Sequence, residues 1–212
     1  YFLNGALFEF GSELTLAAPA GHRLALNSAA VSSDKQELIV PRDGKAAIQR
    51  LLSSDGGTAK LQAGRNALLV SAGKSVLHTK AIDGKFPDFR RVMPDQRGMR
   101  VVDLDREAAL EAVRQVMVVA GDSEHAPIKV EGQDGAIKLS HERTDAAEAT
   151  IATTGDVSAL STGLNARYLK DALESMPGDT IQFLFRPNHP FDSMMFKQGA
   201  HGVCNVIMPI RI

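Results

Sequence analysis

The hydrophobic pattern of this chain switches repeatedly between a period of two and a period near 3.6. Alternating or short apolar runs predict strands over residues 1–10, 13–18, 22–30, 37–40, 59–62, 67–71 and 75–82. A second series covers 99–104, 128–131, 136–140, 148–153, 157–163, 180–185, 194–197 and 202–210. Three stretches carry helical spacing instead. The first is 45–53, with Ala47, Ile48, Leu51 and Leu52 on one side. The second, 106–119, gathers Ala109, Ala112, Val113, Val116 and Met117, and the third, 166–176, gathers Tyr168, Leu169, Ala172, Leu173 and Met176. Cap and turn residues agree with these limits. Asp55-Gly56-Gly57 stops the first helix, Asp103 or Asp105 caps the second, and Asn165 caps the third, which Pro177-Gly178 ends. Asp134-Gly135 predicts a hairpin joining 128–131 to 136–140.

The order of elements repeats. Residues 41–82 read as helix, glycine stop and three strands, and 165–210 read the same way. Residues 1–30 and 128–153 each read as three strands with short turns. The fold class expected is α+β, in repeated units of antiparallel sheet with helices on one face. The second unit has an extra strand and helix in front, 99–119, which the first lacks. The expectation is that the chain begins inside a repeat, as a fragment or processed product, in keeping with Tyr1 at its head. The joint is Asp83-Gly84-Lys85-Phe86-Pro87-Asp88-Phe89-Arg90-Arg91-Val92-Met93-Pro94. Its prolines exclude regular helix locally. The boundary is placed after Arg97, giving units 1–97 and 98–212.

Composition narrows the classes. With 44% hydrophobic and 23% charged residues, the 212-residue chain reads as soluble and globular. Its formal net charge of -1 gives no global basic signal for nucleic acid. No apolar run reaches membrane-span length, and no signal-peptide pattern stands at the start. The single cysteine, Cys204, excludes an internal disulfide and suits a reducing cytoplasm. Aromatics are few, so cores mostly of Leu, Val, Ile, Ala and Met are expected.

Candidate chemistry is sparse. His22, His78, His125, His141, His189 and His201 show no metal-ligand spacing, so no metal and no cofactor is expected. His22, in the turn Gly21-His22-Arg23, is a candidate base only with a nucleophile in reach, and the sequence supplies none. Cys204, without a CxxC partner, reads as a buried structural thiol. No Gly-Lys-Ser/Thr follows Asp55-Gly56-Gly57, so this is a helix stop and not a phosphate loop. Arg90-Arg91 fits a DNA contact, a solvated pair or a pocket wall.

Four motifs in register carry a resemblance. They are Tyr1-Phe2-Leu3-Asn4-Gly5, Ala20-Gly21-His22-Arg23-Leu24-Ala25, Asp83 to Val92, and Met208-Pro209-Ile210-Arg211-Ile212. Together they resemble the beta subunit of DNA polymerase III, the bacterial sliding clamp, over essentially the whole chain. The resemblance implies the end of a middle domain and the whole of a third. It implies a ring of two chains that encircles duplex DNA, with helices lining the hole and strands outside. It implies a non-catalytic processivity factor that docks polymerase subunits, the clamp loader and other partners by short peptides. The docking cleft so implied, between middle and third domains, uses Leu3, Gly21, His22, Arg23, Leu24, Pro87, Arg91 and Val92 from one side. From the other it uses Asn165, Tyr168, Val206, Met208, Pro209, Ile210 and Arg211. The family's interface joins a first domain to a third, so a closed ring is not expected of this stretch alone. The sequence departs from the family pattern at Pro19-Ala20, at His125 and in the longer Arg186 to Asp192 segment, which bear on the rim of the cleft.

The helices give mixed support for DNA. Lys45 and Arg50 on the first, Arg106 and Arg114 on the second, and Arg167 and Lys170 on the third are the DNA-facing candidates. Glu107, Glu111, Asp171 and Glu174 interleave with them. A protein that grips DNA by neutralising phosphates is more basic, whereas a ring held by topology needs no strong grip. From residues alone, a small α+β enzyme with a ligand site at the junction stays open. A purely structural repeat protein is disfavoured by the aromatic, basic linker. An apolar floor with an arginine rim favours peptide docking, and Leu3, Leu24, Pro87, Val92, Val206, Met208, Pro209 and Ile210 supply one.

Overall fold

The computed structural model describes residues 4–55, 58–121, 126–142, 145–199 and 202–212. The chain forms two compact units. The first comprises the residues up to Ala20 together with Leu26–Phe89; the second comprises Gly21–Ala25 and Arg90–Ile212. The division falls between Phe89 and Arg90, ahead of the expected break at Arg97, for a local reason. Arg186 Nη2 donates to the Asp95 carbonyl at 2.9 Å and Lys197 Nζ to Gln96 Oε1 at 2.6 Å, so the end of the linker belongs to the second unit.

Strands β1 (Gly5–Phe10), β2 (Glu13–Ala20), β3 (Arg23–Ala30) and β4 (Gln36–Pro41) lie in the order β3-β2-β1-β4 and belong to the first unit, except that Arg23–Ala25 at the start of β3 count with the second. Helix α1 (Arg42–Asp55) comes next, then a separate antiparallel sheet of β5 (Ala59–Ala63), β6 (Ala67–Ala72) and β7 (Ser75–Lys80). Ile48 of α1 is buried among Phe8, Phe10, Val40, Leu68 and Val70. Leu52, placed on the apolar side by spacing, is 39% exposed.

The second unit adds β8 (Arg100–Asp105) and α2 (Arg106–Ala120) in front. Asp105 is the cap of α2, its Oδ1 accepting from the Ala108 amide at 2.7 Å. Strands β9 (Pro127–Gln133), β10 (Ala136–Glu142), β11 (Ala146–Thr154) and β12 (Ser161–Asn165) then take the order β12-β9-β10-β11. This is the arrangement β4-β1-β2-β3 of the first unit, so the repeat read from sequence is real in three dimensions. Asp134 and Gly135 turn the hairpin with φ of 46° and 77°, the mirror-image geometry that matches strand twist. Helix α3 (Ala166–Ser175) and strands β13 (Thr180–Phe185), β14 (Met194–Gln198) and β15 (Val203–Ile207) complete the unit. β8 pairs with β13, which pairs with β14, which pairs with β15.

Two expectations need correction. Residues 157–163 are not one strand: Val157 and Leu160 are buried, but the Leu160 amide bonds back to the Val157 carbonyl at 3.1 Å, and β12 begins only at Ser161. A tight turn that buries both its apolar ends mimics alternation. The last strand stops at Ile207, short of Ile210, because the chain then bonds to other partners. The cores are mostly Leu, Val, Ile, Ala and Met, as expected, with phenylalanines among them. Phe8, Phe10, Phe86, Phe89, Phe183, Phe185 and Phe196 are all buried, and Phe183 stacks on Phe196 with ring centres 4.8 Å apart. The scarce aromatics are concentrated inside. Gly56, Gly57, His125 and His201, singled out in the sequence, lie outside the described residues, as do Tyr1 to Leu3.

Cys204 is buried in β15, and burial pushes its thiol up from 9.0 to about 11, with Lys197 opposing. The neutral thiol is therefore the form the fold accepts. Its contribution to stability is whole below the unfolded value near 9 and is lost as pH rises toward 11. Alkylation by iodoacetamide at pH 8 is expected to be very slow in the native protein and fast in urea, as measured by mass spectrometry. Rapid native labelling contradicts the assignment.

Candidate functional site

The residues named for peptide docking fall mostly on one surface of the second unit, built by three stretches far apart in sequence. The first is the turn before β3. Gly21 has φ of +62°, and nothing lies within 4 Å of where its Cβ would be, so the backbone angle and not space calls for glycine. The turn exposes the His22 carbonyl, which accepts from the Met208 amide at 2.8 Å. The second stretch is the chain that leaves β15 at Met208. Its Ile210 amide donates to the Gly163 carbonyl on β12 at 2.9 Å. A Cβ at Gly163 would stand 2.3 Å from Ile212 Cγ1 and 2.5 Å from the Ile210 carbonyl oxygen, so only glycine lets the tail lie on that strand.

The third stretch is the start of α3. Asn165 is buried and caps the helix, its Oδ1 accepting from the amides of Arg167 at 3.0 Å and Tyr168 at 3.4 Å. The cap fixes Tyr168 in the first turn, with Asp171 three residues on and on the same helix face. Arg23 reaches both. Its guanidinium carbon is 4.6 Å from the centre of the Tyr168 ring, and its Nη1 is 2.5 Å from Asp171 Oδ2. At the other side, the Arg211 guanidinium lies 5.7 Å from the ring centre of Phe191.

The apolar residues divide in a way the sequence did not indicate. Leu24 and Val206 are each 3% exposed, so they do not line an open groove. Met208, past the end of β15, is 46% exposed, with Pro209 and Ile210 half-buried beside it in the chain. Arg91 and Val92 sit in a single 3-10 turn, Phe89–Val92, where both are exposed. Pro87 is exposed in the first unit, and Leu3 lies outside the described residues. Asp171 and Phe191 were missed. The only signal for Asp171 was its spacing from Tyr168.

The cations proposed to face DNA also divide. Lys45 and Arg50 are exposed on α1. Arg106 is not available as a phosphate contact. Its Nε donates to the Gly178 carbonyl at 2.7 Å and its guanidinium pairs with Glu107. Arg114 pairs with Glu174 across α2 and α3 at 3.2 Å. The interleaved acids take up these two. Arg167 and Lys170 are half-buried on α3. Among the described residues no group of three His, Cys, Asp or Glu side chains is placed to hold a metal ion.

Two α+β units with the same strand order, each pairing helices with antiparallel sheet, have the repeat plan of the DNA-clamp fold. Models of the central and C-terminal domains of the DNA polymerase III beta subunit match residues 1–88 and 90–211. The chain belongs to the DNA polymerase III beta subunit family. It is 29% identical over 218 residues to the beta sliding clamp of Pseudomonas putida and 26% identical over 221 residues to that of Escherichia coli. All of the chain is covered in each, and it spans 59% and 58% of the length of those relatives. Among solved structures, the DNA polymerase sliding clamp of Pseudomonas aeruginosa superposes with a TM-score of 0.88 at 28% identity, covering all of this chain and 59% of that one. The clamp of Caulobacter crescentus gives 0.86 at 29% identity, covering all of this chain and 58% of that one.

The Arg23–Asp171 pair is about one-third exposed on each side, with 33% and 36% of the side chains accessible. Water screens it, so its coupling is expected to be about 0.5–1 kcal/mol at low salt and less at high salt. A double-mutant cycle of Arg23→Ala and Asp171→Ala, read by urea unfolding, measures it. A coupling above about 3 kcal/mol contradicts the screened-pair account.

Proposed function

We propose that this chain serves in bacterial DNA replication as part of a sliding clamp, a non-catalytic processivity factor that encircles duplex DNA and docks polymerases and other partners through short peptides. Family membership supports the clamp role. The observation that carries the docking role is Met208. It is an exposed, flexible apolar side chain at a place where three remote stretches are bonded together. Methionine adapts to differently shaped partners. Around it stand backbone groups of a strand that has left its ladder, and arginines whose forks suit peptide carbonyls or an acidic side chain.

The mechanism rests on this layout. A docked peptide lays a leucine or phenylalanine against Met208, with Val92 as a second apolar contact. Each anchor contributes about 1.5–3 kcal/mol of burial before ordering costs. Those costs are large for a flexible peptide, so affinity in the micromolar range is expected. Arg91 and Arg211 bond the peptide backbone or an acidic residue at the rim. Arg23 is already engaged by Tyr168 and Asp171, so its role is to hold the start of α3 against the turn.

Titration of a labelled peptide bearing Gln-Leu and Leu-Phe elements, read by fluorescence polarisation, tests the docking role. Met208→Ala is expected to weaken binding about tenfold. Val76→Ala, an equally apolar exposed position on β7 of the first unit, is expected to leave binding unchanged. Equal losses in the two variants, or no binding by the parent, would falsify the assignment.

The proposed DNA role rests on encirclement and not on grip. With a net charge of -1 and Arg106 and Arg114 engaged by acids, direct contacts are few. Binding of a short linear duplex is expected to be weak and to vanish as salt is raised. Nanomolar affinity at physiological salt, in a filter-binding assay, contradicts this reading.

A further inference from the structure

One charged surface has no part in the functions above. Between Asp55 and Asp83 the sequence contains no acidic residue, yet it carries Lys60, Arg65, Lys74 and Lys80. The whole chain has 25 acids to 24 lysines and arginines, so this stretch departs from its balance. Its strands form the separate sheet β5-β6-β7 of the first unit.

One face of that sheet is core. Leu68 and Val70 are buried with Ile48 of α1, and Leu61 and Leu77 pack against them. Alternation puts Lys60, Gln62, Leu69, Val76, His78 and Lys80 on the other face. In register, Ser71 stands between Lys60 and Val76, and Leu69 between Gln62 and His78. Lys80 stands opposite Ala67. Val76 is 65% exposed, Leu69 is half-buried, and the three lysines Lys60, Lys74 and Lys80 are exposed. Lys74 is held in the β6–β7 turn by Gly73, whose φ is 52°. Arg65 lines a small cavity with Glu37 and Asp83, which offset its charge, so the lysines set the field of this face. In the second unit Arg100, Arg114, Lys129 and Lys138 each pair with a carboxylate. Lys60, Lys74 and Lys80 have no such partner among the described residues. Charges on edge strands guard against unwanted pairing, but either sign serves for that. A single sign around an exposed apolar centre is the pattern of a contact surface.

We infer that this face docks an extended acidic segment of a partner protein. Its carboxylates meet Lys60, Lys74 and Lys80, and one apolar side chain settles on Leu69 and Val76. Charge complementarity selects the occupant. From strand rise and spacing, Lys60 and Lys80 stand about 16 Å apart, the reach of about five extended residues. Single-stranded nucleic acid is held by stacking on aromatic rings, and residues 58–82 contain no Phe, Tyr or Trp. A membrane surface calls for several apolar anchors, and Val76 is the one strongly exposed apolar side chain of this sheet. The surface is separate from the one around Met208 and does not depend on it.

Fluorescence polarisation with the whole chain at low salt tests this. The probe is a short labelled Asp/Glu-rich peptide with one central Leu. It is expected to bind in the micromolar range, and its Asn/Gln counterpart about tenfold more weakly or worse. Lys60→Glu combined with Lys80→Glu is expected to weaken binding about tenfold, and Val76→Ala about threefold. Arg42→Glu, the same charge change on α1, which packs on the opposite face, leaves binding unchanged. Met208→Ala leaves it unchanged as well, which separates this surface from motif docking. No binding by the parent, or a loss in Arg42→Glu equal to that in the lysine variant, overturns the inference. So does a short DNA single strand that binds through the same lysines more tightly than the peptide. Amide NMR on the parent needs no variant: shifts on titration confined to β5, β6 and β7 support the inference, and shifts elsewhere overturn it.

Discussion

One backbone hydrogen bond organises the working surface. The Met208 amide donates to the carbonyl of His22, and it joins the turn before β3 to the end of β15. The Gly21 to Ala25 segment therefore belongs with the second unit, although the chain on both sides of it belongs with the first. A net gain of about 1 kcal/mol is all that one such bond supplies. Its consequence is geometric. It takes Met208 out of the ladder that β15 shares with β14, leaving its side chain in solvent, and it sends the tail toward β12.

Everything else at the surface reinforces that placement. The missing side chain of Gly163 admits the tail. The buried Asn165 side chain fixes where α3 starts, and so where Tyr168 and Asp171 meet Arg23. Leu24 and Val206, each 3% exposed, are buried, where close packing leaves little room to move. An exposed, unbranched methionine beside backbone held by hydrogen bonds is an arrangement suited to binding varied short peptides with modest affinity.

Much of this was legible in the sequence, for identifiable reasons. The helices were read nearly to their ends because Asp105 and Asn165 are strong caps and the apolar spacing behind them is regular. The β9–β10 hairpin was legible from Asp134-Gly135. The repeat emerged because element order is a coarse property that survives divergence of individual residues. The features that were not legible depend on contacts between remote residues. Alternation at 157–163 looks the same for a strand and for a turn that buries Val157 and Leu160. Motif matching named Leu24 and Val206 without revealing that they lie beneath the surface. Whether Arg106 and Arg114 are free is decided by Gly178 and Glu174, more than fifty positions away in each case. A low aromatic count says nothing about where the few are placed, and most of the phenylalanines are in the cores.

The most direct measurement is methyl NMR on protein labelled at the methionine methyl groups. The chain has seven methionines, and Met208 is exposed whereas Met176, Met194 and Met195 are buried. On titration with a motif-bearing peptide, the Met208 resonance is predicted to shift progressively to saturation while those three stay in place. Saturable binding that leaves Met208 unmoved contradicts the account.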